Sequence, residues 1–318
     1  MAHIEKVAII GAGGRIGSAF TREILRTGKH AVTAITHKDS KTASIPGLKV
    51  AVVDYDDDAS LIPALTGQQF LIITLSMNAP GDLHARILKA AGEAGVSWVM
   101  PNIYGGDIQN KAVMEETLNG KSYKARLAEF EGVNVSRVVL VCGFWYEFGL
   151  ASKEPFFGFD VADRSLTFYD DGNTKIDVST WDQCGRAVAA FLSLPVDGPS
   201  PCMADWKNKP LYINSFKVSQ RDMLDSLNRV LETTDSDWTI DSEVTEVRFK
   251  RGLAELQSGN AMLGFPTASY ARIFYPDGVG DFGSRWGLSD RLLGLPQESL
   301  DDATKKVVEM VKNGWTPF

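Results

Sequence analysis

Cysteine and histidine are scarce in this chain of 318 residues, with three of the first and four of the second. Cys142, Cys184 and Cys202 are too few and too scattered for a disulfide framework or a zinc site, and no two histidines stand at helical ligand spacing. No metal is therefore expected. Long apolar runs are also lacking: none approaches the roughly 20 residues a helix needs to cross a bilayer. The opening MAHIEKVAIIGAGG passes straight into a strand-like run with no leader-like stretch, so a soluble, reducing, cytoplasmic setting is expected. Positive charge is in deficit, with 33 Lys and Arg against 40 Asp and Glu and a net charge of -7. That balance argues against a general nucleic-acid binder, because phosphate backbones repel an acidic surface.

What is present is a regular alternation in the first half. Apolar runs at 6–11 (KVAIIG), 31–36 (AVTAIT), 48–54 (LKVAVVD), 70–76 (FLIITLS), 97–101 (SWVMP) and 135–143 (VSRVVLVCG) read as strands. Helix-like stretches fall at 15–26, where Ile16, Phe20 and Ile24 share a face, and near 59–65, 81–94 and 121–130. Such β-branched runs suit strands buried on both faces, and their alternation with helices implies crossovers and a doubly wound parallel sheet. The expected class is α/β, of Rossmann type, over residues 1–150. From residue 151 to 318 the elements shorten and Pro–Gly punctuation appears, which reads as a smaller α+β substrate-side region. The chain is expected to return to the first domain near 176–215, with a helix at 180–194. Further helices are expected at 219–231, capped by Ser219, and at 300–311.

The strongest local signal is Gly11-Ala12-Gly13-Gly14-Arg15-Ile16-Gly17, which follows a strand and opens a helix. Gly11 permits a tight turn, Gly14 lets the backbone approach a pyrophosphate, and Gly17 allows close helix–strand packing. The helix N-terminus offers free N–H groups and a positive dipole end to the phosphates. At the end of the second strand an acidic residue would bind ribose hydroxyls and repel a 2′-phosphate. Here the strand runs into His37 and Lys38, with Lys41 beyond an interposed Asp39 and Arg15 within reach, so NADP(H) is the expected cofactor.

The glycine pattern, VDYDD at 53–57 and ITLS at 73–76 resemble the NmrA-like group, which includes the isoflavone reductase-like and phenylcoumaran benzylic ether reductase-like atypical short-chain dehydrogenases. The resemblance continues through GFWYEFGL at 143–150, YDDGN before TWDQCGRAV, and YPDGVGDFG at 275–283. It covers nearly the whole chain and looks closest to the fungal oxidoreductase-like branch. In plant members a lysine opening the helix before the sixth strand assists catalysis. Counting back from Gly132 places Lys121 there, with Lys124 one turn later. The Tyr–Lys pair of ordinary short-chain dehydrogenases, four residues apart, is absent. The run Pro101-Asn102-Ile103-Tyr104-Gly105 departs from a proline–serine–acidic–aromatic–glycine pattern common in relatives.

These readings assign Leu75, Ser76, Asn102, Asp54 and Lys121 to the cofactor beside the glycine loop. Tyr104, Phe144, Trp145 and Tyr146, with Phe148 nearby, are assigned to a pocket wall for a flat apolar substrate, Tyr146 also donating a hydrogen bond. Lys121, its pKa lowered by burial beside a cofactor, is the expected proton carrier. Tyr123 and Lys124 are weaker candidates. His37 and His84 read as solvated and non-catalytic, and Asp182 as a helix-start residue. The expected function is an NADPH-dependent reductase of a small aromatic or conjugated metabolite, with room for a homodimer. The alternatives are a dinucleotide-binding redox sensor without turnover and a non-redox isomerase that retains NADP.

Overall fold

The structure, a computed structural model, describes residues 2–38, 40 and 45–317; Asp39 and Lys41, weighed above for the cofactor, lie outside the described residues. In chain order the first half forms β1 (Lys6–Ile10), α1 (Arg15–Arg26), β2 (Ala31–Thr36), β3 (Lys49–Val52), α2 (Asp58–Leu65), β4 (Phe70–Ile73), α3 (Leu83–Glu93) and β5 (Trp98–Met100). There follow α4 (Lys111–Glu116), α5 (Leu118–Ala128) and β6 (Ser136–Val141). The second half contains β7 (Phe144–Trp145), α6 (Tyr146–Ala151), β8 (Phe159–Asp160), β9 (Ser165–Tyr169), β10 (Ile176–Ser179), α7 (Trp181–Leu192), β11 (Lys209–Tyr212) and β12 (Phe216–Val218). It ends with α8 (Gln220–Leu231), β13 (Thr239–Glu243), α9 (Thr245–Gln257), α10 (Ala261–Ile273), α11 (Phe282–Trp286) and α12 (Leu300–Lys312).

Seven strands form one sheet in the order β11-β6-β5-β4-β1-β2-β3. Every neighbouring pair in it is parallel. This is the expected Rossmann-type α/β layer, and the chain reverses its direction of growth between β1 and β4, where open sheets bind ligands. The apolar runs explain the centre: all four residues of β4 are buried, as are Val7 to Ile10 of β1. On α1, Ile16, Phe20 and Ile24 are buried on one face, as their spacing requires.

The expectation of burial on both faces fails at β3. Its Val50 and Val52 are 39% and 63% exposed, because this strand is the sheet's edge and one side has no neighbour. Later chain rejoins the sheet layer: β11 pairs with β6, and α7 lies against α1 so closely that a side chain on Gly185 would strike the Ala19 carbonyl. Thr180, not Asp182, caps α7; Asp182 sits in its first turn, pairing with Arg22 and Lys306. Ser219 caps α8 in a capping box with Asp222.

Two small sheets, β12-β10-β7 and β13-β9-β8, complete the second half. They share a separate apolar core with α6, α8, α10 and α12 that includes Phe157, Phe159, Tyr169, Met223, Leu227, Phe274 and Val307. Among the described residues no helix is long and apolar enough to cross a membrane, and no cluster of His, Cys, Asp or Glu is placed to hold a metal. The cysteines are buried and free.

Candidate functional site

The loop after β1 is shaped by main chain. Gly11 has φ +79°, in the left-handed region, and a side chain there would strike the Thr74 carbonyl on β4's C-terminal side. Gly14 N–H donates to the Gly11 carbonyl at 2.9 Å, closing the turn. Gly17 packs against Gly11 and Thr74, where a Cβ has no room. The first turn of α1 contains no acidic residue, and no side chain caps it. Its N–H groups and dipole end therefore stay available to an anion.

Above this turn lies an open groove of about 400 Å³. Gly11, Gly13, Gly14, Thr36, His37, Tyr55, Thr74, Leu75 and Ser76 contribute to its walls. Six residues assigned from sequence are thus brought together there: Gly11, Gly13, Gly14, His37, Leu75 and Ser76. Lys38 is exposed beside the groove rather than on its wall. Ile16 is buried in the core, as its place on the inner face of α1 dictates.

Arg15 departs from its expected role. Its guanidinium stands 5.4 Å and 5.3 Å from the ring centroids of Phe148 and Trp315 and donates to the Thr316 carbonyl at 3.3 Å. Cation–π attraction holds it toward the C-terminal segment, in a depression separate from the groove. Of the neighbours Asp54 and Tyr55, both expected near the adenine from their place after β3, Tyr55 is on the groove wall, whereas Asp54 is exposed, its carboxylate accepting from the Asp56 N–H at 3.0 Å. The Tyr55 hydroxyl donates to the Ile35 carbonyl at 2.9 Å, and burial pushes its pKa up to about 12.

Asn102 braces the groove from behind. Its Oδ1 accepts from Leu75 N–H at 3.2 Å and its Nδ2 donates to the Leu75 carbonyl at 3.4 Å. His84, expected in solvent, is fully buried on α3. Its Nε2 accepts from Asn102 N–H at 3.2 Å while Nδ1 pairs with Glu129, and burial lowers its pKa. The amphipathic face of α3 turns it inward, so His84 positions Asn102 rather than meeting water.

A second, smaller cavity of about 70 Å³ lies past the ends of β5 and β6. Tyr104, Gly105, Gly106 and Asp107 form one wall, Val113, Thr117, Asn119 and Tyr123 of α4 and α5 a second. Gly143, Phe144, Asp177, Ser269, Ile273, Val279 and Phe282 complete it. Phe144 stacks on Tyr270 at 4.0 Å between centroids. The space is that of a few waters, so admitting an aromatic ring requires these side chains to move. Tyr104 links the two sites: it lines the cavity and donates its hydroxyl to the carbonyl of Ile73, adjacent to Thr74 of the groove, at 2.9 Å.

Of the aromatic cluster, Phe144 and Tyr104 reach the cavity and Trp145 and Tyr146 do not. Successive strand residues point to opposite faces, so with Phe144 toward the cavity, Trp145 packs on the main core and meets Phe148 edge-on at 6.2 Å. Tyr146 is fully buried in the second core, its hydroxyl hydrogen-bonded to Thr304 Oγ1 at 2.6 Å, and burial raises its pKa. It has no path to a substrate in this arrangement. Lys121 and Lys124 are exposed, because α5 buries Gly120 and Tyr123 and neighbouring positions turn about 100° away. Lys124 lines a different surface depression with Arg137. The burial expected of Lys121 is absent from this arrangement.

Sequence reasoning missed Asp107 and Asp177, both buried and both on the cavity. Asp107 accepts from Tyr212 Oη at 2.7 Å and Trp286 Nε1 at 2.8 Å. Asp177 accepts from Asn214 Nδ2 at 2.6 Å and Gly283 N–H at 2.7 Å, and burial raises its pKa. Asp107 follows a strand's C-terminal end closely enough for topology to have flagged it; Asp177 carries no such signal. Tyr123, weighed lightly from sequence, is a wall residue. Its hydroxyl donates to the Tyr104 carbonyl at 3.0 Å, and burial pushes its pKa up to about 12.

Fold and site together define a dinucleotide-binding α/β protein whose cofactor groove adjoins an aromatic-walled cavity. Residues 11–140 match a family described as NAD(P)H-binding. Over 309 residues it is 22% identical to the oxidoreductase aprR of Aspergillus flavus, covering 96% of this chain and 99% of that protein. It is 27% identical over 221 residues to a probable pinoresinol-lariciresinol reductase 3 of Arabidopsis thaliana, covering 66% of this chain and 67% of that one. Its fold is similar to that of AtPrR2 solved with NADP+ and (+)-pinoresinol, with a TM-score of 0.75 at 16% identity, over 96% of this chain and all of the other. The resemblance to isoflavone reductase-like proteins and their fungal branch stands on these relatives.

Proposed function

We propose that the protein is an NADPH-dependent reductase of a small aromatic or conjugated metabolite. The observation that carries this reading is the shared wall: Tyr104 lines the aromatic cavity and is hydrogen-bonded to the strand end that opens the dinucleotide groove. A nicotinamide dinucleotide supplies hydride; the protein orients the partner and keeps water out. In this reading residues 1–150, with the return at 176–215, hold the cofactor and most of 151–318 shapes the substrate side. The names of the relatives, reductases and oxidoreductases, point the same way.

NADP(H) is favoured over NAD(H) because β2 runs through Thr36 into His37 and Lys38 and, among the described residues, no carboxylate stands on the groove wall to repel a 2′-phosphate. Parallel titrations are expected to give NADPH at least ten-fold tighter binding than NADH; equal affinities would remove the argument.

Lys121 retains a proposed proton role. It stands on α5 between the cavity-wall residues Asn119 and Tyr123, with its flexible side chain in solvent. The tyrosines are poor substitutes, since the hydroxyls of Tyr104 and Tyr123 already donate to main-chain carbonyls. Lys121→Ala is expected to lower turnover ten-fold or more while leaving NADPH affinity and melting temperature unchanged. Unchanged turnover would dismiss the assignment.

The deciding experiment supplies NADPH deuterated at the transferable position with a panel of phenylpropanoid and quinone acceptors, then seeks deuterium in the products by mass spectrometry. Label gained only with active protein establishes the reductase. A second reading, a dinucleotide-binding sensor without turnover, draws support from the small size of the cavity and the solvent position of Lys121. It predicts tight NADPH binding with no labelled product.

A further inference from the structure

We propose that Ser269 anchors a ring hydroxyl of the bound aromatic molecule, making this cavity selective for phenols over their methyl ethers. The inference rests on the reading of the cavity as the substrate site and names the chemistry that site would select.

Ser269 lies on α10, is 4% exposed and lines the cavity. Among the described residues its Oγ is the one buried side-chain polar atom of the lining without a hydrogen-bond partner. The contrast with its neighbours is plain. Tyr104 and Tyr123 give their protons to the carbonyls of Ile73 and Tyr104. Thr117 Oγ1 donates to the Val113 carbonyl at 2.6 Å and accepts from Gly120 N–H at 3.1 Å. Buried hydroxyls in folded proteins are nearly always paired, and an exception marks a place where a partner arrives from outside.

The surroundings say what that partner is. Phe144, which shares the lining with Ser269 and is held in place by stacking on Tyr270, gives the cavity an aromatic wall suited to a flat ring. Asp177 supplies a second polar group of the lining, and its main chain is tied toward α10: its N–H donates to the Gly280 carbonyl at 2.9 Å, and Gly280 packs tightly against the Ile273 carbonyl, one turn beyond Ser269. Each carboxylate oxygen of Asp177 accepts one protein donor and retains a lone pair for another. On this proposal the ligand hydroxyl accepts from Ser269 and gives its own proton to Asp177, the buried carboxylate of the same lining. A methyl ether can accept, yet has no proton to give and brings a methyl group into a cavity of about 70 Å³. Buried polar groups left unpaired by a ligand are what make such discrimination strong.

The test uses the full chain saturated with NADP+ and two probes, 4-propylphenol and 4-propylanisole, with affinities read by calorimetry. Wild type is expected to bind the phenol at least ten-fold tighter than the ether. Ser269→Ala should weaken the phenol five-fold or more, change the ether less than two-fold, and leave NADP+ affinity and melting temperature intact. Ser269→Thr, which keeps a hydroxyl, should restore the preference. Equal binding of the two probes by wild type, or an unchanged phenol affinity in Ser269→Ala, overturns the anchor while leaving the reductase reading in place. Binding of neither probe by protein that holds NADP+ overturns the anchor, and the deuterium-transfer experiment then decides the reductase reading separately.

Discussion

The dinucleotide groove and the aromatic cavity are adjacent, and they are built from opposite materials. The groove is made mostly of backbone: a left-handed glycine, an uncapped helix start and the ends of parallel strands leave about 400 Å³ open. The cavity is made largely of side chains from six separate stretches of chain, which converge and leave about 70 Å³. Backbone cannot rearrange without unmaking the fold, so the groove stands ready for its ligand. Side chains rotate at small cost, so the cavity takes its working shape when a ligand enters. The difference also separates their polar groups. The groove keeps N–H donors free, whereas the cavity engages nearly every hydroxyl in the protein's own bonds.

Changing one region while reading out the other breaks or sharpens this comparison. The largest effect is expected from Gly11→Val, which forces a side chain into the Thr74 carbonyl at a φ of +79°. NADPH affinity should fall at least a hundred-fold by calorimetry, and stability should drop by roughly 2–4 kcal/mol. Retained affinity would show that the turn tolerates a side chain and that the groove is less fixed than its geometry implies.

Next comes Phe282→Ala in the cavity. Phe282 is 3% exposed and packs against Tyr212 at 5.7 Å between centroids. Its loss should destabilise the protein by about 3–5 kcal/mol in urea titrations, because a large buried ring leaves a void. NADPH affinity should change less than two-fold, and bulkier aromatic ligands should gain relative to small ones. A large loss of NADPH affinity would join two regions that the structure keeps distinct.

The smallest effect concerns Glu147, which belongs to neither region. It is nearly fully buried, accepts weakly from Trp181 N–H at 3.2 Å, and burial pushes its pKa up to about 7 from 4.5. A raised carboxyl pKa in the folded state means that the unfolded chain releases this proton first. Stability therefore falls as pH rises from about 4.5 through 7. Glu147→Gln should remove that loss, so that at pH 8 the variant gains on wild type by roughly 1–3 kcal/mol relative to their difference at pH 5. Thermal melts at the two pH values measure it, and both ligand affinities should stay constant.

The six strands of the first half and the helices at 15–26 and 219–231 were legible because burial on both faces writes continuous apolar runs into strands and burial on one face writes a period of 3.6 into helices. The groove was legible for a related reason: seven consecutive residues, from Gly11 to Gly17, encode a turn whose ligand meets backbone. Side-chain assignments fared differently. Trp145 and Tyr146 were placed beside Phe144 because they are neighbours in sequence, yet strand alternation and the start of α6 send them into two different cores. Arg15 was assigned to phosphate by proximity, and Trp315, 300 positions later, takes its guanidinium. His84 looked solvated because nothing local reveals that Glu129 and Asn102 converge on it.

The sequence by itself determined the sheet, the glycine turn and the sign of charge at the end of β2, since each depends on residues close in the chain. Only the tertiary structure decided which aromatic rings face the cavity, where Lys121 points, and that Asp107, Asp177 and Ser269 meet there. Those facts depend on elements as far apart as β5 and α10 packing at one sheet edge. No pattern within a segment records which distant segment will cover it.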